Sequence, residues 1–147
     1  MAVAETLEGR RVLLVDDEAA LREMMSETLG EQGFHVVCAG SVVEALKHIT
    51  QERFDVLLTD LHMPNPGDGF TVITAMRHCQ PEALTLLMSG YPDVQTAMST
   101  ILLEADKIVV KPFDGRNFAE FVRIALLDQR PAPCLRKEKW RWFCNEA

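Results

Sequence analysis

Four short apolar runs constrain this chain more than any other feature, because each stops at a polar residue of a particular kind. Val12-Leu13-Leu14-Val15 runs into Asp16-Asp17-Glu18, and Val56-Leu57-Leu58-Thr59 runs into Asp60. Leu84-Thr85-Leu86-Leu87-Met88 runs into Ser89-Gly90, and Ile108-Val109-Val110 into Lys111-Pro112-Phe113. Short runs that are apolar at nearly every position fit strands covered on both faces, as in a parallel sheet. If the four are parallel, their endings share one edge, which is where open α/β sheets place ligands. That edge would carry three carboxylates, a hydroxyl and an ammonium, a set suited to a divalent cation and a phosphoryl group.

Helical patterns separate the runs. Leu21, Met24, Met25, Thr28 and Leu29 recur at helical spacing, and Gly33 follows as a stop signal. Phe34 to Ala39 reads as a short strand. Ser41-Val42-Val43-Glu44 is a capping box that opens a helix to about Gln51. The run from Phe54 to Thr59 is apolar almost throughout and should be the central strand. Met63 to Gly69 reads as a loop, Phe70 to Cys79 as a helix, and Ala83 to Met88 as a strand. Pro92-Asp93 opens a helix to about Glu104, Lys107 to Val110 is the last strand, and a last helix ends near Leu127. Strict alternation of five strands and five helices gives an α/β, doubly wound, five-stranded parallel sheet of the flavodoxin-like (βα)5 kind.

The bulk numbers narrow the function. The chain has 147 residues, enough for one domain with a sizeable core. Its net charge is -7, which argues against broad binding of nucleic acid or anionic membranes by the domain itself. No apolar stretch reaches the roughly 18 residues expected of a membrane-spanning helix, and Met1 to Arg11 is acidic without an apolar centre, unlike a signal peptide. Cys38, Cys79, Cys134 and Cys144 form no C-x-x-C pair, so they are expected to be thiols in a reducing cytoplasm. The pattern breaks at Arg130-Pro131-Ala132-Pro133. This leaves a domain over 11–127 and a tail or linker over 128–147, whose Trp140, Trp142 and Phe143 lie among basic residues.

Asp16, Asp17 and Asp60 would meet at the strand ends, where three carboxylates repel one another unless a cation intervenes. Oxygen ligands that leave room for waters and a phosphate suit Mg²⁺, and with the cation bound one carboxylate could attack phosphorus to give an aspartyl phosphate. The set Asp16-Asp17, Asp60 followed by Met63-Pro64, Ser89-Gly90 and Lys111-Pro112-Phe113 resembles the signature of response-regulator receiver domains. The resemblance covers about Arg11 to Leu127. It implies that Asp60 accepts a phosphoryl group from a phosphohistidine on a sensor histidine kinase or a phosphotransfer protein. It further implies that Asp17, Asp60 and the main-chain carbonyl of His62 ligate Mg²⁺, and that Asp16 holds a metal-bound water. Ser89 and Lys111 would contact the phosphoryl group, Lys111-Pro112 would be a cis peptide, and His62 and Tyr91 would tune the lifetime of the phosphate.

Two departures stand out. Asn65-Pro66-Gly67 puts three residues between Met63-Pro64 and Asp68-Gly69 where the family usually has two. Ile108 occupies a position where many receivers carry an aromatic ring that swings inward on activation, and an isoleucine cannot reproduce that gate. The implied function is a phosphorylation switch rather than a turnover enzyme. Its interaction surface would span about 93–127, including Ile101, Leu102 and Leu103, and would face an output domain, a partner protein or a second copy of the chain. Nucleic acid would be reached only through an output domain outside this chain. Two other readings compete. An aspartate-nucleophile, Mg²⁺-dependent phosphatase would need an acid/base Asp two residues after Asp60, where this chain has His62. A pseudo-receiver interaction module would rest only on Ile108 and the longer loop, since the acceptor-site residues are all present.

Overall fold

The computed structural model describes residues 9–61, 68–89, 107–110, 120, 122 and 124. Five strands form one parallel sheet: β1 (Arg11–Val15), β2 (His35–Ala39), β3 (Val56–Asp60), β4 (Leu84–Ser89) and β5 (Lys107–Val110). Their spatial order is β2-β1-β3-β4-β5, so the apolar run ending at Asp60 is central, as its composition requires. Three helices are described in full: α1 (Ala19–Glu31), α2 (Val42–Gln51) and α3 (Asp68–Cys79). Glu120, Val122 and Ile124 are also helical. The expected helix from Pro92, the 63–67 loop and the 128–147 tail lie outside the described residues.

The alternation of side chains along each strand divides the core. Val12, Leu14, Val56, Leu58, Leu86 and Met88 pack on one face with Met25 and Leu29 of α1 and with Val122. Leu13, Val15, Leu57 and Leu87 pack on the other face with Ala45 and Ile49 of α2 and Val72, Ile73 and Met76 of α3. The reason is the handedness of the crossovers. From β1 the chain steps outward to β2, and then back past β1 to β3 and on to β4. Right-handed connections therefore put α1 on the opposite face from α2 and α3. With both faces covered, Leu13, Leu14, Leu57 and Leu58 have no exposed surface. Each such side chain stabilises the fold by roughly 1.5–3 kcal/mol.

Local signals behave as their chemistry dictates, with two adjustments. Ser41 Oγ accepts from the Glu44 amide, but the Glu44 carboxylate reaches back to the amide of Gly40, one residue before the cap. On α1 the stripe against the sheet is the buried Met25 and Leu29 with the partly buried Leu21, whereas Met24 is 53% exposed. A helix lying flat on a sheet covers only a narrow stripe, and Met24 sits a quarter-turn away from it. Gly33 adopts a φ of 101°, which turns the chain out of α1 into β2.

The amino-terminal edge of the sheet is closed by polar contacts. Glu52 accepts from Arg11 and pairs with His48, and these hydrogen bonds, that of His48 foremost, hold its carboxyl below the ordinary range. Gln80, buried after α3, donates to the carbonyls of Ile49 and Glu52 and accepts from the amide of Phe54. One side chain thus satisfies three backbone groups where α2 turns into β3. Replacing it by alanine strands these groups, so Gln80→Ala is expected to lower stability by about 2–4 kcal/mol in urea unfolding, without a change in the carboxyl-end site.

Candidate functional site: an acidic pocket at the carboxyl ends of β1 and β3

The site lies where strand order reverses. β1 pairs with β2 on one side and β3 on the other, so the turns leaving β1 and β3 part from each other and open a crevice. Asp16 and Asp17 follow β1, and Asp60 ends β3. One carboxylate oxygen from each lies within 4.8 Å of the others. Asp16 is buried, Asp60 half-buried and Asp17 exposed, so the trio forms a graded path from interior to solvent. Two such charges repel by roughly 3 kcal/mol at an effective dielectric of 20. All three donors are hard oxygens, the type that Mg²⁺ takes.

Backbone bonds hold this arrangement. The amide of Asp16 donates to Ala39 at the end of β2. Asp16 Oδ1 accepts from the Glu18 amide at 2.9 Å, which folds the chain back into α1. Arg22, one turn into α1, donates to the main-chain carbonyl of Asp16 at 2.6 Å. Asp60 Oδ1 accepts from the amide of Leu61 at 2.9 Å, and Leu61 in turn hangs from the carbonyl of Met88 on β4. The Asp60 carboxylate is therefore held by the same amide that joins the end of β3 to β4.

Gly69 supplies a constraint that sequence reasoning passed over as mere loop punctuation. Its amide donates to the carbonyl of Leu61 at 3.0 Å, which brings the start of α3 onto the end of β3. A Cβ at this position would lie 2.2 Å from the main-chain oxygen of Asp60 and 2.9 Å from the Cα of Leu61. Only a residue without a side chain lets the helix close over the Asp60 backbone. The legible signal was the Asp68-Gly69 pair at the head of an apolar helical pattern.

Of the other sequence candidates, Ser89 ends β4, opposite Val110 on β5 and one residue beyond the partner of Asp60. Ile108 lies on β5 opposite Leu87. His62, Tyr91, Lys111 and Pro112 fall outside the described residues.

Residues 12–123 match the response regulator receiver domain family. The regulatory protein AtoC of Escherichia coli is 33% identical over 138 residues, which is 90% of this chain and 30% of AtoC. The response regulator protein FleR of Pseudomonas aeruginosa is 35% identical over 121 residues, 82% of this chain and 25% of FleR. Among solved structures, a CheY-like receiver domain from Methanospirillum hungatei superposes with a TM-score of 0.77 at 24% identity. It covers 83% of this chain and 97% of that one. The chemotaxis protein CheY4 of Vibrio cholerae superposes at 0.73 with 27% identity, covering 79% and 98%. The chain belongs to the response regulator receiver family, the phosphoacceptor receivers of two-component signalling. It spans about a third or less of the length of these curated relatives.

Gly69→Ala tests the close approach. Overpacking should lower stability by about 1–3 kcal/mol in denaturant unfolding. Displacing the Asp60 carboxylate by about 1 Å should slow any phosphorylation there by a small-molecule donor on the order of 10²-fold.

Proposed function

We propose that Asp60 accepts the phosphoryl group from a phosphohistidine donor, in a reaction dependent on Mg²⁺, and that the product biases an interaction surface. The convergence of Asp16, Asp17 and Asp60 within 4.8 Å carries this reading. In the step itself, an Asp60 carboxylate oxygen forms a bond to phosphorus as the phosphorus–nitrogen bond to the donor imidazole breaks. The amide of Leu61 fixes the rotation of the carboxylate, so its attacking oxygen is held in line rather than searching. Asp17 and Asp60, with the His62 carbonyl, would hold the cation, and Asp16 would orient a water of its shell. When bound, Mg²⁺ neutralises the carboxylates and the charge on the transferring group. The Ser89 hydroxyl donates to a phosphoryl oxygen and the Lys111 ammonium pairs with another. His62 and Tyr91 govern access of the hydrolytic water.

Because the protein group that reacts is not regenerated within the step, the domain acts as a switch rather than a turnover enzyme. The kinase or phosphotransfer protein supplies the phosphoryl group. The output runs through the surface of about 93–127, toward an output domain, a partner or a second copy, with the receiver confined to 11–127. The named relatives, regulators of three to four times this length, support an output domain as the receiving element. No described helix is long and apolar enough to cross a membrane, in keeping with a domain that works in the cytoplasm.

Acetyl phosphate with Mg²⁺ should add one phosphoryl group per chain, read by intact mass. Chelation of the metal and Asp60→Asn should each abolish the addition. Labelling that persists in the Asn variant would refute Asp60 as acceptor, and multiple turnover of a phosphomonoester would favour the phosphatase reading instead.

A further inference from the structure

Arg22 stands in the first turn of α1, where a cation opposes the helix dipole. Such a placement is unfavourable unless the side chain has another task. Its guanidinium leans back over the helix start, the direction helical side chains take, and Nη1 donates to the Asp16 carbonyl at 2.6 Å. The group occupies a seat formed by the turn after β2. A Cβ on Gly40 would come within 3.0 Å of Arg22 Nη1, 3.3 Å of Cζ and 3.5 Å of Nη2. Gly40 is itself pinned by its bond to Glu44, so the seat belongs to the cap of α2. The same turn anchors Asp16 from the other side, since Ala39 accepts from the Asp16 amide. Both main-chain polar groups of Asp16 are therefore held, one by β2 and one by Arg22.

We propose that Arg22, seated against Gly40, is a positioning residue for the cation pocket: it fixes the Asp16 carbonyl and thereby the turn on which the Asp16 and Asp17 carboxylates ride. The proposal rests on the Mg²⁺-dependent reading of the site. Charge and position make opposite demands here, which gives the test its sign. Removing a positive charge from the turn that carries Asp16 would by itself tighten cation binding. Releasing the turn would weaken it, because ligands no longer held in place must be ordered on binding.

The experiment is titration of the full chain with Mn²⁺, followed by electron paramagnetic resonance, with Mg²⁺ as competitor. Loss of an outer partner of a metal ligand costs about 10–100-fold in affinity. Because this contact reaches the ligand through its main chain, the Kd in Arg22→Ala should rise by about 3–10-fold. Gly40→Val, which keeps the charge but fills the seat, should give a rise of similar size. The double variant should be no weaker than either single one, since both break one contact. Arg22→Lys, which keeps the charge and part of the reach, should recover affinity in part, and it serves as the readout if Arg22→Ala fails to fold. Unchanged or tighter binding in Arg22→Ala would overturn the proposal, as would additive losses in the double variant. A native chain that binds neither ion would overturn the reading of the site itself, and the proposal with it.

Discussion

The repulsion among three carboxylates held within 4.8 Å is the interaction that everything above the sheet must withstand. A pocket of this kind cannot be assembled from flexible parts, because like charges would separate by rotating or by unravelling the turns that carry them. The protein solves this with the sheet below. Val12 to Val15 and Val56 to Leu58 have almost no exposed surface and are paired in register, so the ends of β1 and β3 are set a fixed distance apart. Burial of apolar side chains, together worth many times the pairwise repulsion, holds the acids where they would not go unaided. The fold's stability is thus spent at its carboxyl edge and generated elsewhere.

The turns above the sheet complete the restraint through backbone contacts. Asp60 is tied through Leu61 to β4 and capped by Gly69 of α3. Asp16 is tied to β2 by its amide and to α1 by its carbonyl and carboxylate. Two glycines make these contacts possible by what they lack. Gly69 leaves room for the Asp60 carbonyl, and Gly40 leaves room for the Arg22 guanidinium. In both cases the absent methyl belongs to a helix-opening turn, that of α3 over the Asp60 backbone and that of α2 against Arg22.

This division explains which parts were legible in the sequence. Sheet, strand order and the acidic trio were readable because they follow from burial and from short-range pattern. A strand covered on both faces must be apolar throughout, and a right-handed crossover fixes the side on which each helix lies. The boundaries of β3 and α3 shifted by two residues, since Phe54 gives its amide to Gln80 rather than to the ladder and Asp68-Gly69 belongs to the helix. Met24 shares the helical spacing of Leu21 and Met25 yet is exposed, because spacing marks a face but not its width. The contacts of Arg22 and Gly40 were hidden for a different reason. They depend on a main-chain acceptor and on the space beside a glycine, and neither leaves a trace in residue type.

The distinction bears on how a receiver of this kind could transmit its state. Chemistry at the pocket depends on groups fixed by β1 and β3, in the best-packed part of the molecule. The edge built by β4 and β5 sets Ser89 opposite Val110 and Ile108 opposite Leu87. An isoleucine at that position has a branched, stiff side chain with one preferred rotamer in most settings. It offers no polar tip to exchange between inward and outward environments, as a tyrosine would. With isoleucine at 108, no ring stands there whose swing could pass on a shift of Ser89. Packed cores switch between discrete arrangements instead of deforming continuously. Among the described residues, the helical segment that includes Val122 packs on the α1-side face of the sheet. Val122 has no exposed surface and shares the α1-side face with Val12, Leu14 and Met88, which couples that segment directly to the strands that hold the acids.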